Sequence, residues 1–418
     1  MRIAGMHPTG NANSREAMSA YAEAGWLECF FTTIAVFKGN LWHRLSDLSG
    51  LSEFTKRQFP ESLRAVTHSR PSRELMRLAA QRLGWQAPQR HETGWASVDA
   101  VYRGIDQSLA IWIESHRPDV VHAYEDGALQ SFQAAGRVGT RCVLDHPVAH
   151  WRRVRSILEE ERDAAPEWAS TLVGLRDSDE KRDRKDQELQ LADLILVPSR
   201  FSLESLDSCP FAVGKRVVLP LGGPVQASFE TLHHNTGQTL RVLFVGSLSQ
   251  LKGLSYLFEA VETLGSRIEL TLIGRPPLES CRILQDHLAR HRWIPALSHA
   301  GVLDEMTRHD VLVFPSLCDG FGMVVTEALS RGLPVITTPR TCGPDIIEEG
   351  VSGYVIPARD AMSISEKLDM LDRDRDRLAF MRRSALQSMR HRTWSSYRAG
   401  LLELVGRLAP VCPGIRGV

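Results

Sequence analysis

Short apolar runs alternate with longer stretches of helical period along most of the chain, and this alternation constrains the fold more than any other feature of the sequence. A strand buried on both faces reads as a continuous apolar run, whereas a surface helix repeats its apolar residues every three or four positions. The runs in the first half are RIAGM at 2–6, LECFFTTI at 27–34, VVHAY at 120–124, CVLDH at 142–146 and LILVPS at 194–199. Helical patterns lie between them. In SREAMSAYAEAG, Ser14 has the chemistry of an N-cap and Gly25 that of a stop. The pattern predicts an α/β domain with a parallel sheet covered by helices on both faces. The charged stretch 152–193 carries opposite charges three and four apart in SDEKRDRKDQELQLAD, which predicts a helix with a solvated face.

Near 220 the pattern breaks. LPLGGPVQASFETLHHNTGQTL is rich in turn residues and has no apolar period, so it is expected to link two domains. A second alternating block follows, with RVLFVGS at 241–247, IELTLIG at 268–274, DVLVFPS at 310–316, PVITT at 334–338 and GYVIP at 353–357. The expected division is a first domain over 1–222, a second over 241–392 and a terminal helix over 393–418 containing Trp394 and Tyr397. Composition agrees with a globular chain: 43% hydrophobic and 24% charged residues over 418 positions, with 50 basic and 50 acidic side chains. A net charge of zero gives no global attraction to nucleic acid. Seven widely spaced cysteines without a CxxC pair fit reduced thiols and a cytoplasmic setting. No apolar run is long enough for a membrane span, and the first residues lack the apolar core of a signal peptide.

Ligands of doubly wound sheets bind beyond the carboxyl ends of the strands, where the next helices begin. At one such end, FPSLCDGFGMVVTEALSRG places Asp319, Gly320 and Gly322 in a turn and starts a helix near Met323. The free N–H groups and positive dipole end of that helix suit a phosphate. Glu327, about one turn further on, is placed to accept hydroxyl hydrogens of a ribose, and Asp319 those of a bound sugar, in charge-assisted bonds. At another strand end, FVGSLSQLKG offers Lys252. Taken singly, Asp-Gly is a common turn and Lys252 a common helix cap. Two such elements at two strand ends of one sheet are far less common.

These residues, together with LIGRP, CGPDIIEEGVSGYVIP and LPLG, resemble glycosyltransferase family 4, retaining enzymes of the GT-B fold, in which two Rossmann-like doubly wound domains, an acceptor-binding first and a nucleotide-sugar-binding second, face a central cleft and a terminal helix, here 393–418, crosses back onto the first. The likeness is close over 241–360 and looser before 220, where TGNAN, PDVVHAYEDG, VLDH and ADLILVPS carry it. The resemblance implies that Lys252 holds the donor diphosphate and Glu327 the ribose. It implies further that Asp319 and the backbone of Gly320, Phe321, Gly322 and Met323 bind the donor sugar and phosphate, and that Gly274 and Arg275 lie near the base. His146 matches the family's cleft histidine, with His150 of DHPVAH as the alternative. Gly10 and Asn11 fall in the flexible loop that meets donor and acceptor. Two positions depart from the family pattern: the first acid of the pair is Asp319, one methylene shorter than the usual Glu, and Ser247 stands where the arginine partner of the lysine is usual.

The implied reaction is transfer of a sugar from a nucleotide-diphosphate sugar to an acceptor hydroxyl of a saccharide, glycolipid or small molecule, with no cofactor. Negative charge grows on the departing phosphate, so Lys252 and the helix N-terminus would act mainly in the transition state. The alternatives are a nucleotide-sugar epimerase of the same fold and a non-catalytic nucleotide-sugar sensor. DRDRD at 372–376 imitates an Asp-x-Asp metal site but follows no buried strand, and it is expected to be a solvated helix, with no metal. Finally, the segment 56–90 sets Lys56, Arg57, Arg64, Arg70, Arg73, Arg77, Arg82 and Arg90 against only Glu61 and Glu74, with Leu75, Met76, Leu78, Leu83 and Trp85 among them. A helix packing its leucines inward would explain it, as would a basic amphipathic face in peripheral contact with the cytoplasmic membrane surface.

Overall fold

The computed structural model describes residues 1–46, 54, 57–228, 239–277 and 280–408. The apolar runs form parallel strands. Among the described residues the first sheet contains β1 (Ile3–Met6), β2 (Leu27–Thr32), β3 (Thr67–Ser69), β4 (Val120–Tyr124), β5 (Arg141–Asp145), β6 (Leu194–Val197) and β7 (Arg216–Val218), in the order β3-β2-β1-β4-β5-β6-β7. The second contains β8 (Leu240–Val245), β9 (Ile268–Ile273), β10 (Arg292–Ile294), β11 (Val311–Phe314), β12 (Val335–Thr337) and β13 (Gly353–Val355), in the order β10-β9-β8-β11-β12-β13. The order reverses between β1 and β4 and again between β8 and β11. At such switch points neighbouring loops leave the sheet in opposite directions and open a crevice. Together the sheets form the GT-B architecture, two Rossmann-like domains with a cleft between them.

Local chemistry differs from expectation in several places. The N-cap of the helix Ala12–Glu23 is Asn11, not Ser14: the Asn11 side chain accepts from the Ser14 N–H at 2.9 Å. The stretch 152–193 is not one helix with a solvated face. It breaks into the helices Trp151–Ala164 and Asp179–Leu191, joined by 3₁₀ turns at Pro166–Thr171 and Val173–Arg176, and Lys181 and Glu188 are buried. DRDRD straddles a junction, where Asp374 caps the helix Arg375–Ser388 by accepting from the Arg377 N–H. The strands β3, β7 and β10 are three residues long and begin with a polar residue, too short to show a period of their own.

The connection into the second domain passes Gly223, whose N–H bonds Arg392 O at 2.9 Å; residues 229–238 lie outside the described residues. The helix Trp394–Gly406 returns to the first domain, where Tyr397, Leu401 and Val405 pack with Ile3 and Tyr21, and Arg398 pairs with Glu16 at 2.6 Å. A second crossing was not foreseen. Trp168 and Ala165, by sequence in the first domain, are buried in the core of the second, with Trp168 stacked on Phe258 at 6.1 Å between ring centres. Next to them Glu161 is fully buried and accepts from Gln250 at 2.6 Å, Tyr256 at 3.0 Å and Arg359 at 2.7 Å. A buried carboxylate is tolerated because each oxygen is bonded and Arg359 supplies the opposite charge.

The basic segment 56–90 also takes a different form. It holds a 3₁₀ turn at Glu61–Val66, strand β3 and the helix Ser72–Leu83, rather than one amphipathic helix. Arg57 pairs with Glu74 in the interior, Arg77 also bonds Glu74, and Arg64 bonds Glu61. Leu75 and Leu78 turn inward against Ile34, Val36 and Phe54, while Leu83 and Trp85 stay exposed. Lys56 lies outside the described residues.

Candidate active site

The loops after β8 and β11 meet in three dimensions. Gly253 has φ 72° and its built Cβ would fall 2.1 Å from Pro315 O, so only glycine lets the Lys252 turn lie against the β11 loop. Leu317 N bonds Leu251 O across the same seam at 2.9 Å. Lys252 thereby reaches Asp319, Nζ to Oδ2 at 2.6 Å, and lies 5.6 Å from the centre of the Phe314 ring. The other Asp319 oxygen accepts from the Phe321 N–H at 3.2 Å. Gly322, at φ 81°, leads into the helix Met323–Ser330, whose first N–H groups follow directly on this turn.

The first domain closes over the turn. Gly320 O accepts from the hydroxyls of Ser199 at 2.5 Å and Ser202 at 2.9 Å. A Cβ on Gly320 would lie 2.0 Å from Pro147 O, so backbone meets backbone across the cleft. Between the domains is a cavity of about 280 Å³ lined by Lys252, Asp319 and Gly320 on one side and by Trp151, Arg182 and Lys185 on the other. Lys185 lies 3.3 Å from Glu125, 3.6 Å from Asp126 and 3.7 Å from Asp177. Burial works to lower its pKa, but these three carboxylates outweigh burial and hold it well above its ordinary value. Arg182 and Lys185 come from the charged stretch read as solvated surface. Arg182 pairs locally with Asp179, but the Lys185 partners Glu125 and Asp126 lie in another part of the sequence, so no local signal marked them.

His146 follows β5, is buried, and has neither ring nitrogen hydrogen-bonded; Nδ1 lies 3.5 Å from Glu125. Burial lowers its pKa, opposed chiefly by Glu125. His150 is engaged elsewhere, with Nε2 3.1 Å from Asp186 and 3.2 Å from Cys209 Sγ, and it is pushed down to about 4 by burial and by His146. In the first loop, the Gly10 N–H bonds His7 Nδ1 at 2.8 Å, and Asn13 ties the loop to Asp145 at 3.3 Å. Gly10 has φ 63°, and a Cβ there would collide with Phe59. His7 accepts two backbone N–H groups only while neutral, and burial keeps it so, down to about pKa 3. After β8 and β9, Ser247 is exposed, Gly274 approaches Gly246 O too closely for any side chain, and Arg275 O accepts from the Leu248 N–H. Glu327 does not join the Lys252–Asp319 pair but bonds His299, Nε2 to Oε1 at 3.0 Å. His299 had not been singled out from the sequence.

Two clusters of potential metal ligands occur among the described residues, His150–Asp186–Cys209 and His91–Glu92–Asp177. In the first, Asp186 is already bonded by Trp151 at 2.8 Å and by the Arg152 guanidinium at 2.6 Å, which supplies the positive charge locally. DRDRD belongs to neither.

Residues 229–387 match the family Glycosyl transferases group 1. A phosphatidyl-myo-inositol mannosyltransferase of Mycobacterium leprae is 24% identical over 270 residues, 63% of this chain and 66% of that protein. The chain thus spans just under two thirds of that relative, and 38% of a D-inositol 3-phosphate glycosyltransferase of Nocardia farcinica, which is 29% identical over 194 residues, or 44% of this chain. Among solved structures, sucrose-phosphate synthase of Thermosynechococcus elongatus superposes with a TM-score of 0.67 at 15% identity, covering 98% of this chain and 99% of its own. The second domain thus matches the family Glycosyl transferases group 1, and the two doubly wound sheets that close on a shared cleft have the GT-B fold.

Proposed function

We propose that this protein is a retaining glycosyltransferase that moves a sugar from a nucleotide-diphosphate sugar to an acceptor hydroxyl, in polysaccharide, glycolipid or glycoconjugate synthesis. The observation that carries the reading is the Lys252–Asp319 pair at 2.6 Å, facing the interdomain cavity beside the start of the helix Met323–Ser330. A diphosphate there meets one ammonium and a row of free N–H groups. In the resting site Asp319 occupies Lys252; a bound diphosphate would compete for the ammonium and release Asp319 toward the sugar hydroxyls. As the bond to the anomeric carbon breaks, charge on the leaving phosphate grows against groups already in place, where stabilisation acts on rate. Because Lys252 and the helix supply that charge, the reaction is proposed to need no metal. A Lys-bound leaving phosphate can take the acceptor's proton on the face it leaves, which retains configuration. A solved neighbour, the Anabaena protein Alr3699/HepE, was crystallised with UDP-glucose, which makes UDP the first nucleotide to try.

The test is release of nucleoside diphosphate from UDP-, GDP- and ADP-sugars, with and without an acceptor panel and with EDTA. Acceptor-dependent release that survives EDTA is expected. Turnover of the sugar nucleotide without any acceptor would point to an epimerase, and tight binding without turnover to a sensor. On the acceptor side, exposed Leu83 and Trp85 next to Arg82 support peripheral contact with the cytoplasmic membrane face and a lipid-linked acceptor. No helix among the described residues is long and apolar enough to cross a membrane. Cosedimentation with anionic but not neutral vesicles, lost at high salt, is the expected result; no cosedimentation at low salt would favour a water-soluble acceptor.

A further inference from the structure

His299 is the first residue of the helix His299–Arg308, just after its cap Ser298. Its side chain is 64% exposed, yet it does not point away from the protein: it reaches the helix Met323–Ser330 and bonds Glu327 Oε1, while the Glu327 side chain is only 15% exposed. Among the described residues no hydrogen bond to Glu327 Oε2 is present. One oxygen of this carboxylate is therefore held and the other is available. A carboxylate on a flexible side chain accepts two hydroxyls well only if its plane is fixed, and a second contact is the usual way of fixing it. A lone carboxylate close to a bound diphosphate also repels it, and a neighbouring cation offsets that repulsion.

Resting on the reading of this cleft as a nucleotide-sugar site, we propose that His299 is a positioning residue for the donor: it holds one oxygen of Glu327 so that the other receives the ribose hydroxyls, and its imidazolium screens the donor diphosphate from the Glu327 charge. The charged groups around it fit this role. The hydrogen bond that His299 donates to Glu327 raises the His299 pKa; partial burial and Arg331, on the Glu327 helix, oppose it. Asp304, on the His299 helix, acts on Arg331 rather than on His299. Since a bound dianion favours the imidazolium further, donor affinity should fall as pH rises through the raised pKa.

Isothermal titration of the whole protein with UDP-glucose and with GDP-mannose tests this, because their diphosphate diesters do not titrate in this range. Wild-type Kd is expected to rise about three- to tenfold between about pH 6 and about pH 8.5, the size of a part-exposed ion pair. His299→Ala should bind weakly and without pH dependence. His299→Gln, which keeps an N–H donor but no titratable charge, should match the wild type at the alkaline end and lose the slope. A His299→Ala protein with wild-type Kd and slope, alongside a Glu327→Gln protein that binds the donor more weakly, would overturn the role of His299 while leaving the site intact. If neither donor binds the wild type, or Glu327→Gln changes nothing, the site reading itself fails and this role fails with it.

Discussion

At the scale of single residues, the site is a small number of charges set on two turns. Lys252 and Glu327 are each mostly covered, with side chains 15% exposed, but one lies on a short turn after β8 and the other within the helix Met323–Ser330, neither in a core. Lys252→Ala and Glu327→Ala should therefore leave the thermal midpoint almost unchanged, since part-exposed ion pairs contribute about 1 kcal/mol or less. Each should lower kcat/KM about a hundredfold, the effect of losing one transition-state contact worth about 3 kcal/mol. Steady-state kinetics beside a melting curve checks both halves, and wild-type turnover in either variant would remove that residue from the site. The turns, the carboxylates and the lysine were legible in the sequence because each is marked locally by a strand end and glycines. His299 was not legible: an isolated histidine at a helix start has no local sign of the carboxylate it meets.

Among the elements, the helix Asp179–Leu191 departs most from its sequence pattern. Its charges repeat as on a solvated face, yet Lys181 and Lys185 are turned into the protein, because Glu125, Asp126, Asp99 and Asp177 line the surface it covers, and Glu188 is buried where it accepts the N–H groups of Asp126 and Ala128 at 2.9 and 3.0 Å. Burial pushes the Glu125 carboxyl up, but Lys185, and after it His146, outweigh burial and hold it below its ordinary range. A depressed carboxyl stabilises the fold above the unfolded-state pKa, and that stability is lost as pH falls through the folded value. Lys185→Met removes the main cation and leaves Glu125 and Asp126 buried without it, which should cost about 3 kcal/mol at neutral pH. Near the unfolded carboxyl value, about pH 4.3, the deficit should shrink, because Glu125 can then take up a proton instead. Chemical denaturation at the two pH values measures the difference; an equal loss at both would show that the helix is held by packing alone.

For the whole molecule, the relation between the two domains depends on close backbone contact and on a segment that crosses between them. Gly320 has a carbonyl oxygen of the opposite domain where a Cβ would go. Gly320→Ala should force the cleft apart, abolishing turnover and enlarging the radius of gyration in solution scattering while circular dichroism stays the same. An active, equally compact variant would show that the cleft need not close this far. Trp168 anchors the crossing segment in the second core, stacked on Phe258 and near His287. Trp168→Ala should destabilise the protein by about 3–5 kcal/mol, the usual cost of emptying a buried aromatic site. Limited proteolysis should then cut between 165 and 176, and a variant as stable and as resistant as the wild type would contradict the docking.

The sequence by itself determined the two doubly wound sheets, the strands that fall in apolar runs, the two turns that carry Lys252 and Asp319, and the helix that carries Glu327. These features follow from local period and from glycines required by tight backbone approach, both of which are written in consecutive residues. Only the tertiary structure decided that Lys252 bonds Asp319, that Glu327 bonds His299, that Lys185 faces Glu125 and that Trp168 belongs to the second core. Each of these joins residues far apart in the chain, and whether a charge is solvated or paired depends on which surface the fold brings against it.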